Sequence, residues 1–320
     1  MSIRFFWVDI LKVMGILTVI LGHISNPFNN IIYSFHMPLF FALSGFFLND
    51  KNSIKVNIIK DWNRLMIPYF IFGALGVFVE TLKRYFLSRP SLDYSTEFIS
   101  VFYDMSMESL SNSYAFVLWF LPALFLSKLF LYSIIKLRLP VFFEALIVLA
   151  LFLFSFVVEL PFAINFGLNG VFYLYFGYLF FLLVKQPEKS YNNEKIACLL
   201  LIAIASVCYV NFSFGVPLLD IAKLEYKNLF VNTAFSLSVI IIMSTVCIVL
   251  SSLTYVQNKA GNIISFISIN SMALYVFHPY TNNISSILID FFYEGNISWV
   301  LRFLLSILLL VFLLFIKKIN

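Results

Sequence analysis

The chain has 320 residues, of which 62% are apolar, 19% aromatic and only 12% charged. A soluble domain carries roughly a quarter charged residues, so this composition excludes a protein whose surface faces water on all sides. The formal net charge of +5 is small and scattered along the chain, which argues against a nucleic-acid partner. The three cysteines lie inside apolar runs without a metal-like spacing, so we expect neither a disulfide framework nor a bound metal.

The apolar segments predict membrane-spanning helices. In hydrocarbon the backbone satisfies its hydrogen bonds only as helices or as a closed barrel, and barrel strands alternate apolar and polar residues. Here the apolar runs are continuous, as in residues 142–158. We therefore predict an all-α, polytopic membrane helix bundle that forms a single domain over residues 1–320. Spans of roughly 20 residues give about ten candidates, near residues 7–25, 30–48, 65–86, 114–135, 140–158, 167–185, 195–212, 229–252, 263–289 and 298–316.

Three of these spans have features that set them apart. The first begins like a signal peptide, but its charged residues and the lack of a small-x-small cleavage site predict a retained span. The second is short and contains His36 and Pro38, which predict a broken or tilted helix. The ninth is long and contains Asn270 and Pro279, which predict a kink.

The distribution of basic residues predicts the orientation in the membrane. With ten spans and a cytoplasmic N-terminus, 13 basic residues fall in cytoplasmic segments and five in outer segments. Because positive residues favour the cytoplasmic side, we predict that both termini are cytoplasmic. The longest outer segment, residues 87–113, is rich in serine, tyrosine and acidic residues, and a segment of that length is usually either functional or disordered.

The first span carries the strongest chemical signal. Lys12 and His23 are separated by ten residues, almost three helical turns, so both project from one face roughly 16 Å apart along the axis. Asp9 lies three residues before Lys12 on the same face and could pair with it. Ionisable groups within a span are costly and usually functional. The alternative is that Lys12 reaches the inner interface and that His23 only hydrogen-bonds a neighbour.

The other two histidines also lie within or at the edge of predicted spans, which suggests a polar interior shared with His23. His36 comes two residues before Pro38, and the nearby Ser44 is followed by a glycine that permits close helix packing. His278 lies near the outer end of the ninth span. The alternative for His36 is a structural histidine at a helix break. Trp119, in the fourth span, is a further candidate, and its alternative is an ordinary aromatic residue at the membrane interface.

A basic cluster follows the second span. Lys60 and Arg64 lie close to the start of the next helix, and basic groups at a helix N-terminus suit phosphates. The alternative is the ordinary anchoring of a cytoplasmic segment by positive charge.

These motifs together resemble those of membrane acyltransferase family 3, and within it the fucose 4-O-acetylase-like group. Lys12-x10-His23 is similar to the Arg/Lys-x10-His signature of that family, with Asp9 three positions ahead. The family often carries an Arg-x-x-Arg pair in its second loop, of which Arg64 matches the second arginine while Asp61 stands at the first. Residues 35–47, 64–70, 118–125 and 271–279 resemble further landmarks in order, so the resemblance covers essentially the whole chain.

The resemblance implies an integral membrane O-acetyltransferase of the bacterial cytoplasmic membrane. Its donor would be cytoplasmic acetyl-CoA, and its acceptor a hydroxyl of a lipid-linked or polymeric surface glycan such as O-antigen, capsule or another exopolysaccharide. His23 would act as general base or acyl carrier. The predicted catalytic set is His23, Asp9 and Lys12; the predicted substrate-binding set is His36, Ser44, Trp119 and His278; and Lys60 and Arg64 are predicted to bind acetyl-CoA.

Three alternatives stay open from the sequence. The chain could export a polysaccharide, or it could be a non-catalytic membrane subunit of a glycan-synthesis complex. Within the same family, a succinyl group could replace the acetyl group.

Overall fold

A computed structural model describes residues 5–48, 52–184, 190–293, 295 and 297–319. Helix accounts for 82% of the structure and strand for 1%, which confirms the all-α class. The α-helices within the described residues are α1 Phe6–Gly22, α2 Asn29–Phe46, α3 Ile54–Asp61, α4 Ile67–Phe86, α5 Tyr94–Ile99, α6 Phe120–Lys136, α7 Val141–Phe154, α8 Ile164–Val184, α9 Ser190–Phe214, α10 Leu229–Ser252, α11 Thr254–Ile269, α12 Ser271–Phe292 and α13 Ser298–Ile319.

Short irregular elements complete the description. A π-helical segment, Trp62–Met66, joins α3 to α4, and a second one, Ser100–Asp104, follows α5. Three 3-10 segments are Ser109–Asn112, Tyr114–Trp119 and Ile221–Lys223. Two strands, β1 Leu219–Asp220 and β2 Glu225–Tyr226, form a two-stranded sheet.

Several helices are long and apolar enough to cross a membrane, so the chain is a multi-pass membrane protein. Six qualify within the described residues: Ile54–Phe86, Tyr114–Lys136, Ile164–Val184, Glu194–Phe214, Leu229–Ser252 and Ser298–Phe315. The pair α11 and α12 qualifies as a seventh span when the two are taken together. Helix α7 is apolar but has only 14 residues. The count of ten spans and the cytoplasmic position of both termini stay predictions.

The two predicted distortions have different outcomes. The ninth segment is indeed kinked, by 76° between α11 and α12. The bend falls at Asn270, whose side-chain amide donates to the Phe266 carbonyl at the end of α11. The predicted break in the second segment was wrong, because α2 continues through Pro38. Proline leaves the carbonyl four residues earlier without its helical donor, and the hydroxyl of Ser236 on α10 donates to that carbonyl, on Ser34.

The helices group into two compact units. The first comprises Met1–Phe40, Ser190–Leu219 and Lys227–Asn320. In it α1 packs against α10, α11 and α12, while α9 packs along α10 and α13 along α12. The side chains of Val8, Leu11 and Ile16 are almost completely buried. Helix α1 is therefore a central helix of this unit.

The second unit comprises Phe41–Lys189 and Asp220–Tyr226. Its helix α8 packs against α6 and α7. The last turns of α2 also approach α8 very closely, because a Cβ added at Gly45 would overlap the Leu174 carbonyl and one at Gly177 would overlap the Ala42 backbone. The close helix contact predicted at Ser44–Gly45 is thus present.

Candidate functional site

The candidate site lies at the C-terminal end of α1, where His23 is the residue that ends the helix. Helix ends leave backbone carbonyls without helical donors. The Asn282 side-chain amide donates to the Ile20 carbonyl at 3.0 Å, and that of Asn26 donates to the Leu21 carbonyl at 2.8 Å. Two asparagine side chains therefore fix the backbone that carries the half-buried His23 imidazole.

His278 of α12 lies beside His23, with 5.0 Å between the ring centroids and a 39° angle between the ring planes. Its side chain is completely buried. Its Nδ1 lies 2.6 Å from the carbonyl oxygen of Tyr275. A carbonyl oxygen can only accept, so Nδ1 carries the proton and Nε2 presents a lone pair.

His36 of α2 joins this group through an aromatic neighbour. The Tyr33 ring lies 5.0 Å from the ring of His36 and 6.3 Å from that of His23. His36 is 3% exposed, and its Nδ1 lies 2.8 Å from the Ile32 carbonyl. By the same reasoning it carries its proton on Nδ1. The structure thus brings the chain's three histidines together in the first unit.

Asp9 and Lys12 lie at the other end of α1. Their positions are about 21 Å and about 16 Å from His23 along the helix axis, at 1.5 Å per residue. The Asp9 carboxylate is buried and accepts a 2.6 Å hydrogen bond from the hydroxyl of Ser268 on α11. Lys12 is half-buried. The structure therefore does not place these two predicted residues beside the imidazole, and direct participation in its chemistry stays a prediction.

Ser44 and Trp119 belong to the second unit. Ser44 is half-buried in the last turn of α2, beside the glycine that contacts α8. Trp119 is 4% exposed, and its ring packs against those of Phe166 and Phe120. That packing differs from an interfacial aromatic, whose indole reaches water. Contact between Trp119 and a substrate requires its neighbours to move, and substrate binding by both residues stays a prediction.

Lys60 and Arg64 are exposed on α3 and the π-helical segment that follows it. The prediction that they lie at a helix N-terminus was wrong, because the helix is continuous over Ile54–Phe86. Asp61 between them is turned inward and is 3% exposed. It forms an ion pair with Lys128 of α6 and accepts a 3.0 Å hydrogen bond from the Tyr132 hydroxyl. The acidic charge at the place of an expected arginine is therefore compensated inside the protein, while the two basic side chains face outward.

Sequence reasoning missed the residues that support the histidines. Besides donating to Ile20, Asn282 accepts a 2.6 Å hydrogen bond from the Ser306 hydroxyl. That hydroxyl lies 2.8 Å from the hydroxyl of Thr281. A run of polar residues after His278 in an apolar span was the available signal. Within the described residues there is no group of three or more His, Cys, Asp or Glu side chains that could hold a metal ion.

The fold defines a multi-pass helical membrane protein with a cluster of three imidazoles, two buried and one half-buried, at the end of its first helix. A family model described as an acyltransferase domain matches residues 5–317. The chain therefore belongs to membrane acyltransferase family 3, as the sequence motifs indicated. No curated protein and no solved structure matches it.

Proposed function

We propose that the chain is an O-acetyltransferase of the bacterial cytoplasmic membrane. It transfers an acetyl group from cytoplasmic acetyl-CoA to a hydroxyl of a surface carbohydrate, which is lipid-linked or part of a polymer. Membership of the acyltransferase family supports the class of reaction. The observation that carries the proposal is the half-buried imidazole of His23 beside a second, buried imidazole, at a helix end whose backbone is held by side-chain hydrogen bonds.

An imidazole suits this reaction because its ordinary pKa lies near neutrality, so it can both take up and release a proton. In one route His23 takes the proton of the sugar hydroxyl, the oxygen attacks the thioester carbonyl, the carbon–sulfur bond breaks and the proton passes to the CoA thiolate. In the other route His23 attacks the thioester carbonyl, the carbon–sulfur bond breaks and the CoA thiolate leaves; the sugar hydroxyl then attacks the acetyl-imidazole, which releases the imidazole, and the hydroxyl proton passes to the thiolate. Both routes consume acetyl-CoA and yield free CoA and an O-acetyl ester.

Lys60 and Arg64 are the proposed contacts for the phosphates of acetyl-CoA. Both are exposed and basic, and guanidinium groups bind phosphate with two parallel hydrogen bonds. The ion pair between Asp61 and Lys128 supports this role, because it neutralises the one acidic side chain between them. Phosphate binding on the cytoplasmic side agrees with the predicted orientation of this segment.

The decisive experiment replaces His23 in cells that make the glycan. Ester acetyl groups are counted per sugar repeat by proton NMR of the isolated glycan, and protein abundance is measured by immunoblot. Loss of a general base typically lowers the rate about 10²–10⁴-fold, so His23→Ala and His23→Asn should both abolish acetylation at normal abundance. Thr18→Ala is the matched control, because it removes a hydrogen bond to Gly15 on the same helix.

The outcomes separate this proposal from its rivals. Retention of most acetylation by His23→Asn would place the chemistry elsewhere in the chain. Loss of the entire glycan from the surface, rather than of its acetyl groups, would indicate an exporter. A subunit without catalytic function would tolerate His23→Ala, and succinyl instead of acetyl signals in the wild-type glycan would correct the donor.

A further inference from the structure

His278 is held in one tautomer by the proline that follows it. In α12 the carbonyl of Tyr275 would normally accept from the backbone N–H four residues later, but that residue is Pro279 and has no N–H. The His278 side chain takes the place of the missing donor through Nδ1, at 2.6 Å. The helix therefore fixes the proton on Nδ1 and leaves Nε2 as an acceptor.

This acceptor has no donor in the described part of the chain. Nε2 of His278 is buried and makes no hydrogen bond, and the residue as a whole is 0% exposed. Buried polar atoms are usually paired, so an exception calls for an explanation. The neighbouring ring of His23 offers one, because its centroid lies 5.0 Å away. Rotation about the last side-chain torsion of histidine is broad, so a turn of the His23 ring can bring one of its N–H groups towards Nε2.

We propose that His278 is the positioning residue of His23. This role rests on the proposed function of His23. When one nitrogen of His23 takes the proton of the acceptor hydroxyl, the ring becomes an imidazolium, and its other N–H donates to Nε2 of His278. The hydroxyl oxygen attacks the thioester carbonyl, the carbon–sulfur bond breaks, and the first nitrogen returns its proton to the CoA thiolate. His278 keeps its own proton throughout and only accepts a hydrogen bond.

The difference in burial between His23 and His278 indicates different roles for the two imidazoles. His23 is half-buried, so its ring can contact a thioester or a hydroxyl. His278 is completely buried and can contact neither group unless the surrounding side chains move. A group behind the base that accepts its second N–H orients the ring and stabilises its charged form, as in other catalytic histidines. The sequence predicted that His278 binds substrate directly. In this proposal His278 instead acts through His23.

The test compares His278→Gln with His278→Leu. Glutamine keeps an acceptor oxygen on a chain of similar reach, whereas leucine fills the space without an acceptor. Loss of a partner that orients a metal-binding histidine costs about 10–100-fold in activity, and we expect an effect of that size here. We expect His278→Leu to lower kcat by that factor with little change in the KM for acetyl-CoA, and His278→Gln to retain much more of the rate.

The assay measures release of the free CoA thiol after acetyl-CoA is added to membrane vesicles that contain the full-length protein and the host glycan lipids. If His278 were only a packing residue, the apolar leucine would be tolerated better than glutamine, and this reversed order would overturn the proposal. Equal and full activity of both variants would overturn it as well. If both lose activity equally at normal abundance, an acceptor at this position is not sufficient and the proposal is also rejected.

A second variant tests the tautomer without changing either histidine. Pro279→Ala restores a backbone N–H that competes for the Tyr275 carbonyl and so frees the proton on Nδ1. We expect kcat to fall, and we expect no further fall when Pro279→Ala is added to His278→Leu, because residues that act as one unit are not additive. Independent losses that multiply would contradict the coupling. Full activity of His23→Asn would instead refute the proposed function itself, so the two failures are distinguishable.

Discussion

Glu97 is a buried carboxyl group in α5, within the long segment predicted to lie outside, and only 3% of its surface is exposed. Burial raises the pKa of Glu97 above its ordinary value, and the charges of Glu80 and Asp93 act in the same direction. A hydrogen bond with Asn112 and the charge of Arg84 oppose them. A carboxyl whose pKa is raised by folding stabilises the fold in its protonated form, so its contribution is lost as the pH rises through the folded pKa.

Glu97→Gln should therefore raise the thermal unfolding midpoint of the detergent-purified protein at pH 7. Glutamine cannot ionise, so it avoids the cost of burying a charge and keeps a polar side chain beside Asn112. The gain should shrink as the pH falls and vanish below about 4.3, the ordinary glutamate pKa, because the wild-type carboxyl is then protonated as well. A lower midpoint at neutral pH would mean that the attraction to Arg84 outweighs the burial.

Asp93 provides a control of opposite sign in the same segment. Hydrogen bonds from the Thr96 hydroxyl and the Ser95 N–H lower the pKa of Asp93. Its stabilising effect is present above the unfolded pKa and is lost as the pH falls through the folded one. Asp93→Asn should thus lower the midpoint at pH 7 and converge with the wild type in acid.

The sequence could identify a candidate functional residue where the evidence for it lies within one helix. The spacing of Lys12 and His23 could be recognised because both lie on one helix. The amide of Asn282, by contrast, reaches the Ile20 carbonyl across 262 positions of sequence. A contact of that kind depends on which helices pack together, and the periodicity of either helix alone does not contain that information.

At the scale of secondary-structure elements, Asp61 links α3 to α6. It forms an ion pair with Lys128 and accepts a hydrogen bond from the Tyr132 hydroxyl. The Asp61 carboxylate is 3% exposed, so loss of its cationic partner leaves a buried charge without compensation. The sequence showed Asp61 as a departure from the family pattern. It could not show the compensation, because Lys128 is 67 positions away and lies in a mostly apolar helix.

Lys128→Met should be strongly destabilising, because breaking a buried ion pair costs about 3–5 kcal/mol. The double variant Asp61→Asn with Lys128→Met removes both charges and should recover most of that loss. Unfolding midpoints of the two variants and of Asp61→Asn alone, measured in detergent, form the cycle. Additive effects of the two substitutions would show that the pair does not interact energetically.

Kinks and breaks within helices could be predicted from the sequence only where a residue of the same helix determines them. The kink of the ninth segment lies at Asn270, whose backbone and side-chain N–H groups both donate to the Phe266 carbonyl. The predicted break at Pro38 did not occur because Ser236 supplies the hydrogen bond that proline removes. A proline inside a membrane helix is tolerated when a neighbouring group satisfies the freed carbonyl, and here that group belongs to another helix.

For the whole molecule, composition was sufficient to predict the all-α membrane class, because hydrocarbon leaves few ways to satisfy a backbone. The number of spans was harder to predict. Segments of the sequence that look long enough can become shorter helices, as residues 140–158 do in α7, which has 14 residues. Conversely, Ile54–Phe86 is a helix of 33 residues, about 50 Å at 1.5 Å per residue, so it extends beyond a hydrocarbon core of about 30 Å.

The orientation of the chain can be tested by labelling, and α7 is the element that decides it. Its 14 residues span about 21 Å, less than the hydrocarbon core. Single cysteines are placed at exposed positions in a variant lacking the three natural ones, and intact cells are treated with a membrane-impermeant maleimide. If ten spans are correct, Arg89→Cys and Lys223→Cys should be labelled from outside, while Arg138→Cys and Lys259→Cys should be labelled only after the cells are opened.

Comparison of the labelling at residues 138 and 223 is the most informative test of whether α7 crosses the membrane. Between them lie α7, α8 and α9, so the two positions are on opposite sides of the membrane if all three helices cross it. If α7 does not cross, two crossings remain and both cysteines react from the same side. That result would reduce the span count from ten to nine and move one terminus to the outside. It would also place every later segment, including the polar end of α12, on the side opposite to the one predicted from the basic residues.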